Sequence, residues 1–109
     1  MPTRPPTQFE LRVYRATTKI PRGRVTTYGL LARHIRCRSA QAIGQALSRN
    51  PFAPEVPCHR VIASDMTLGG FAGRSGGKTV ARKNELLAAE GVEFRTGRLL
   101  DPERRLYRF

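Results

Sequence analysis

Cysteine is scarce in this chain, with two thiols, Cys37 and Cys58, in 109 residues. Two are too few for a disulfide framework, and no Cys/His spacing matches a zinc site, so neither cross-links nor a metal are expected to hold the fold. Acidic residues are scarce as well: 8 Asp and Glu stand against 20 Lys and Arg, for a formal net charge of +12. Such a charge on so small a body attracts a polyanion, of which nucleic acid is the commonest. A merely solvated basic surface, or a ribosome-associated or membrane-surface protein, is the plainer alternative. Most of the basic residues are Arg, whose planar guanidinium matches phosphate in a fork. Long apolar runs are missing too. Nothing in the sequence reaches the length of a bilayer span, and no secretory signal pattern precedes the first turn. The expectation is therefore an intracellular protein of cytoplasm, nucleoid or nucleus, with no membrane partner.

What is present suits one small globular domain with a single core. Residues 1–6 read as a flexible lead, because Pro2, Pro5 and Pro6 crowd it, and 7–109 as the domain. Thr7 with Glu10 three residues on has the form of a capping box. Behind it Phe9, Val13, Ala16 and Ile20 recur at helical spacing and make one apolar face. Pro21-Arg22-Gly23-Arg24 breaks this helix. Val25-Thr26-Thr27 reads as a short extended piece, with Thr27 capping a second helix through Ile35 that buries Leu31 and Ile35. After a basic link, Ser39 caps a third helix from Ala40 to about Ser48. Its Ile43 and Leu47 point inward, while Ala40, Ala42, Gly44 and Ala46 permit close approach by a neighbour.

Two short helices on a tight link, the second flanked by Arg38 and Arg49, read as a helix-turn-helix rather than an ordinary helical hairpin, given the charge. Gly69 to Gly77 is a glycine-rich loop without the spacing of a phosphate-binding P-loop, better suited to closing over a base. Thr79 to Glu90 predicts a last helix facing inward through Val80, Leu86 and Leu87, with Gly91 at its C-terminal cap. Short apolar pieces near Val92-Phe94 and Leu106-Phe109 suggest a hairpin or a packed strap. The fold class is thus mostly α, a small winged-helix-like or helix-turn-helix DNA-binding domain with short strands.

The chemistry centres on Val56-Pro57-Cys58-His59-Arg60-Val61-Ile62. A thiol becomes a nucleophile by ionising, and a neighbouring imidazole and guanidinium favour the thiolate. A small buried cysteine at a strand end is the bland alternative. With Glu90 closing the last helix, Cys, His and Glu supply a nucleophile, a base and an orienter. Adjacent Cys58 and His59 cannot share one face of an extended strand, so a sharp turn or a bridging water must connect them. Cys37, between Arg36 and Arg38, reads as a filler at a helix end and has no assigned role.

These residues, together with Val25-Thr26-Thr27-Tyr28-Gly29, Ala42-Ile43-Gly44-Gln45-Ala46-Leu47, Ser48-Arg49-Asn50-Pro51, Gly70-Phe71-Ala72-Gly73 and Leu86-Leu87-Ala88-Ala89-Glu90-Gly91, carry a resemblance. From about Phe9 to Val92 the chain resembles the C-terminal, DNA-binding and active-site domain of the O6-alkylguanine-DNA alkyltransferases. The resemblance implies that Cys58 accepts the alkyl group in a single turnover, while Glu90, His59 and a water draw off its proton. It implies that Tyr28 helps protonate the departing guanine and lies beside the DNA backbone. Asn50 would tie the recognition helix to the active-site turn. The carbonyls of Cys58 and Val61 would read the guanine amino group, and Phe71, Ala72 and Gly73 would line the base pocket. On the DNA side the resemblance sets Gln41, Ala42, Gly44 and Gln45 in the minor groove, flanked by Arg38, Arg49 and Arg60, with the target base flipped out. No cofactor is implied. The partner is double-stranded DNA containing O6-alkylguanine, met by a monomer, with other repair factors as further partners.

Two departures stand out. Gln41 occupies the place of the arginine that usually fills the gap left by the flipped base. The usual N-terminal domain has no counterpart, and the tail through Leu106-Tyr107-Arg108-Phe109 resembles the short alkyltransferase-like proteins, which lack the acceptor cysteine and flag damage for excision repair. The competing expectations are then a suicide alkyltransferase, a damage-recognition module, and a helix-turn-helix regulator that reads sequence in the major groove.

Overall fold

In the computed structural model the described residues are 5–69 and 78–109. The chain order is helix α1 (Gln8–Thr18), strand β1 (Thr26–Thr27), helices α2 (Tyr28–His34) and α3 (Ala40–Ser48), a single 3-10 turn (Cys58–Arg60), strand β2 (Val61–Ile62), helix α4 (Lys78–Ala89), the hairpin strands β3 (Phe94–Arg95) and β4 (Arg98–Leu99), and a last helical turn α5 (Pro102–Arg105). This is a mostly helical small domain with short strands, as the sequence predicts.

Capping sets the helix starts. Thr7 accepts from Glu10 N at 3.1 Å and Thr7 N donates back to Glu10 Oε1 at 2.9 Å, which closes the box. Thr27 Oγ1 accepts from Leu30 N at 3.0 Å and Ser39 Oγ from Ala42 N at 3.0 Å. Each such cap contributes roughly 1 kcal/mol. Between α2 and α3, Arg36 takes φ 60, a left-handed conformation that a helix stop usually assigns to glycine. It is followed by the Cys37 N to Ala32 O bond of 2.8 Å that satisfies the helix end. The link is therefore held by backbone bonds, and α2 and α3 pack as a helix-turn-helix.

α1 lies under this pair. Val13, Ala16 and Ile20 of the first segment join Leu31, Ile35, Ile43, Leu47 and Val61 in one buried cluster, and Tyr14 Oη donates to Ala46 O at 2.7 Å to fix α1 on α3. A second cluster gathers Val25, Ile62, Leu87, Val92 and Leu99. Successive side chains of a strand point to opposite faces, so β2 separates the two clusters, with Val61 on one side and Ile62 on the other.

β1 and β2 pair in parallel, Thr26 with Val61 and Thr27 with Ile62. Since β1 runs straight into α2 and β2 leaves the Cys58 turn, this pairing holds the start of α2 beside the cysteine. The tail lies along the other side of Val25, with Val25 N donating to Arg105 O at 2.8 Å and Tyr107 N to Val25 O at 2.6 Å. The expected strap is thus real, and the Val92-Phe94 piece leads into the β3–β4 hairpin. In α4 the structure corrects one detail. Leu87 is fully buried as expected, but Val80 and Leu86 are half-buried, and the other fully buried position belongs to Lys83. No helix among the described residues is long and apolar enough to cross a membrane.

Candidate active site

Pro57 leads into the turn Cys58–Arg60, the sharp turn expected at adjacent Cys58 and His59. Three residues in 3-10 geometry spread their side chains around the turn instead of alternating across a strand. Cys58 is partly buried at the edge of the first cluster, and His59 is buried. The His59 Nε2 lies 2.9 Å from Glu90 Oε2. Glu90 follows α4 where Gly91, at φ 85, reverses the chain; Val92 N closes that end on Leu87 O at 2.9 Å. The cap anticipated at Gly91 thus aims Glu90 at the turn.

Arg60 contradicts its expected place on the DNA face. Its Nε donates to Glu90 Oε1 at 3.0 Å and its Nη2 to Glu90 Oε2 at 2.9 Å, while Nη1 donates to Ile20 O at 2.9 Å. With three of its five N–H donors committed to this fork and carbonyl, the guanidinium is turned to Glu90 and Ile20. Arg22, itself exposed, approaches the same carboxylate at 3.9 Å. Burial alone pushes the Glu90 carboxyl up, but the hydrogen bonds and charges of Arg60 and His59 outweigh it and bring it down to about 2. Glu90 is therefore a fixed anion across the physiological range, holding His59 in one orientation.

The thiol corrects a second expectation. Burial pushes the Cys58 thiol up, and the groups that pull it back are the Asn50 side-chain amide, the backbone amides of Cys58 and His59, and the Lys83 ammonium. The Arg60 and His59 side chains, expected to depress it, are turned to Glu90 instead. A thiol so placed is harder to ionise than a free one, so forming its thiolate calls for a base.

Asn50 bonds to the loop that follows it. Its Nδ2 donates to Val56 O at 2.9 Å and its Oδ1 accepts from Phe52 N at 2.9 Å, so one side chain spans the loop from the end of α3 to the residues before Cys58. Tyr28, first residue of α2, packs on the same cluster as Cys58. Its ring lies close to two glycines: a β-carbon on Gly44 would stand 4.0 Å from one ring edge, and one on Gly69 3.6 Å from the other. Gly69 is at φ 72 and a β-carbon there would press on Ala63 N at 3.3 Å, so both backbone conformation and space ask for glycine.

On α3, Gln41 and Gln45 are exposed, Ala42 and Gly44 are half-buried, and Arg38 and Arg49 are exposed at its two ends. Arg49 Nη1 is 3.6 Å from Glu10 Oε2, which leaves most of its side chain in solvent. Val61 is fully buried in β2. The expected base-pocket residues Phe71, Ala72 and Gly73 lie outside the described residues, as does most of the glycine-rich loop. Cys37 is partly buried, its sulfur 3.4 Å from Ser39 N and Ser39 O. Among the described residues no group of three or more His, Cys, Asp or Glu side chains is placed to hold a metal ion.

Lys83 is the site residue that sequence reasoning missed. It is 0% exposed, donates from Nζ to Leu68 O at 2.7 Å, and sits 5.8 Å above the Tyr28 ring centroid. A signal was there: Val80, Lys83, Leu87 and Glu90 fall on one helical stripe, and a lysine in that stripe points inward.

Comparison with known proteins follows the same lines. A family model described as the DNA-binding domain of 6-O-methylguanine DNA methyltransferase matches residues 8–92. The methylated-DNA–protein-cysteine methyltransferase of Thermococcus sibiricus is 46% identical over 88 residues, which are 80% of this chain and 46% of that protein. The chain spans about half the length of the curated relatives it matches. Among solved structures, Mycobacterium tuberculosis OGT in complex with DNA superposes with a TM-score of 0.69 at 40% identity, covering 77% of this chain and 50% of that one. Atl1 of S. pombe, in complex with damaged DNA containing O6-carboxymethylguanine, superposes with a TM-score of 0.79 at 33% identity, covering 94% of this chain and 96% of that one.

Proposed function

Because the chain belongs to the 6-O-methylguanine DNA methyltransferase family, we propose that it binds double-stranded DNA carrying O6-alkylguanine and transfers the alkyl group to Cys58. The observation that carries this reading is the hydrogen-bonded His59–Glu90 pair on the turn that begins with Cys58. The sulfur attacks the alkyl carbon, an S–C bond forms as the C–O6 bond breaks, and guanine leaves. The thiol proton passes through a water to His59, whose Nε2 is held by Glu90, so the developing imidazolium lies against a fixed carboxylate. Tyr28 supplies a proton to the departing base. The product is a thioether, so each molecule acts once.

Docking is assigned to α3. Its exposed Gln41 and Gln45, the small Ala42 and Gly44, and Arg38 and Arg49 at its ends suit entry into the minor groove with phosphates clamped on both sides. Gln41 stands where an arginine would hold the gap left by the everted base, and its amide can still pair with the orphaned cytosine. The base then lies against Tyr28 and the turn.

Incubation with a duplex containing O6-methylguanine should add one methyl group per protein molecule in intact-mass analysis, and Cys58→Ala should gain none. A wild-type protein of unchanged mass, or a Cys58→Ala protein that still gains the group, rejects the proposal. The near end-to-end match to Atl1 favours a second reading, a damage-recognition module that recruits other repair factors. That reading calls for tighter binding to alkylated than to plain duplex with the mass unchanged.

A further inference from the structure

We propose that Arg105, in the last helical turn α5, is a positioning residue of the acceptor site: it clamps the turn between α1 and β1 against the end of α4 and so holds the Glu90 carboxylate on His59. The inference rests on the reading of the Cys58 turn as the alkyl acceptor. It brings into that site a segment that lies beyond residues 8–92, the span matched by the family model.

The clamp consists of one planar cation laid across two glycines. A β-carbon on Gly91 would stand 3.5 Å from Arg105 Nη2, 3.8 Å from Nη1 and 3.9 Å from Cζ, so the guanidinium covers that residue. A β-carbon on Gly23 would stand 3.4 Å from Arg105 Nη1 and 3.4 Å from Glu90 O. Gly23 is therefore held between the arginine and the backbone of Glu90. Nη1 donates to Gly23 O at 3.0 Å and closes the contact. A cation at the C-terminal end of α4 also complements the helix dipole.

Arg105 is presented from a fixed strap. It is half-buried, whereas Arg104 beside it is exposed, and Leu106 after it is buried. Val25 N donates to Arg105 O at 2.8 Å, Arg24 Nη2 to Leu106 O at 2.9 Å and Tyr107 N to Val25 O at 2.6 Å. The site grips the same turn from its other side. Arg60, which carries the fork on Glu90, also donates from Nη1 to Ile20 O at 2.9 Å. Arg22 Nη2 donates to Ala89 O at 2.9 Å, the last residue of α4. Strap, turn and helix end thus meet at Arg105, one residue past Glu90. Without its guanidinium, the end of α4 can move away from Gly23 and carry the carboxylate off His59.

The test reads that carboxylate directly. An ionised Glu90 can only accept, so His59 Nε2 carries the hydrogen of their 2.9 Å bond. Both side chains are 6% exposed, so in NMR of ring-labelled protein this Nε2–H should give a signal protected from exchange with water. In Arg105→Ala the signal should exchange about tenfold faster, and benzyl transfer from free O6-benzylguanine to Cys58 should slow about tenfold. In a Glu90→Gln background the same substitution should slow transfer no further, because its effect passes through that carboxylate. The ring signals of Tyr107 and Phe109 should keep their dispersion, since the backbone bonds and Leu106 still hold the strap. Arg105→Lys keeps the charge and a donor for Gly23 O but loses the plane over Gly91, and should fall between the two. Wild-type exchange of the Nε2–H in Arg105→Ala overturns the proposal, as does the lack of a protected signal in the wild type. Equal slowing in the Glu90→Gln background also overturns it, for it marks a general structural role. Should Arg105→Ala fail to fold, Arg105→Lys decides, and exchange as slow as in the wild type is then the overturning result. A wild-type protein that takes no benzyl group would sink the functional reading and leave the exchange result standing.

Discussion

Glu90→Gln should lower folding stability by about 3 kcal/mol and slow alkyl transfer by about 100-fold or more. The stability figure follows from the carboxyl, which drops from an ordinary 4.5 to about 2 in the fold, a gap of roughly 2.5 units at about 1.4 kcal/mol each. The side chains of Glu90 and His59 are each 6% exposed and that of Arg60 16%, so little of this is screened by water. The amide of Gln still accepts one hydrogen bond but leaves a buried guanidinium without its counter-charge. Because the folded pKa is depressed, the stabilisation is complete above the ordinary carboxylate range and is lost as pH falls through about 2. Acid unfolding should therefore be less steep in the variant than in the wild type. Urea titration across that range measures it, and identical acid limbs would contradict the assignment. The kinetic loss comes from His59, which would no longer have a fixed anion to orient it or to balance its charge.

Arg38→Ala with Arg49→Ala should weaken binding to plain duplex DNA by about 60-fold at 0.1 M salt without altering the fold. Each neutralised phosphate contributes about 0.9 to the slope of log K against log salt, so two lost contacts flatten the slope by about 1.8. Both guanidinium groups are exposed, at opposite ends of α3, and neither supports the core. Arg49, itself exposed, gives up a 3.6 Å approach to the buried Glu10, whose carboxylate keeps its capping bond from Thr7 N. Fluorescence anisotropy over a salt series checks the expectation. A slope unchanged in the double variant would move the DNA surface away from α3.

Much of this arrangement was legible because its signals are local. Thr7 with Glu10, Thr27 and Ser39 are caps whose partners stand three residues on, and they place the starts of α1, α2 and α3. Gly91 is likewise read from the helix it ends. Cys58, His59, Asn50 and Glu90 were singled out by residue type and motif, and the fold brings them to one turn. What escaped depends on partners distant in sequence. β1 and β2 are two residues each, and nothing in Thr26-Thr27 announces a parallel partner at Val61-Ile62. Arg60 looked like a DNA contact because a lone arginine in a basic chain resembles every other one. Only the 31-residue reach from His59 to Glu90 shows that a carboxylate waits for both. Lys83 was passed over since lysine is taken for a surface residue, although its place on the Val80–Leu87 stripe pointed inward. The α5 turn went unread despite Asp101-Pro102, a pairing that commonly starts a helix.

The two cysteines separate the possibilities most directly. After reaction with a duplex carrying O6-benzylguanine, proteolysis and peptide mass mapping should find the benzyl group on the fragment containing Cys58, with the Cys37 fragment unmodified and unmodified guanine left in the DNA. A benzyl group on Cys37, or on neither fragment while the lesion persists in the duplex, would contradict the claim that this turn builds an alkyl acceptor.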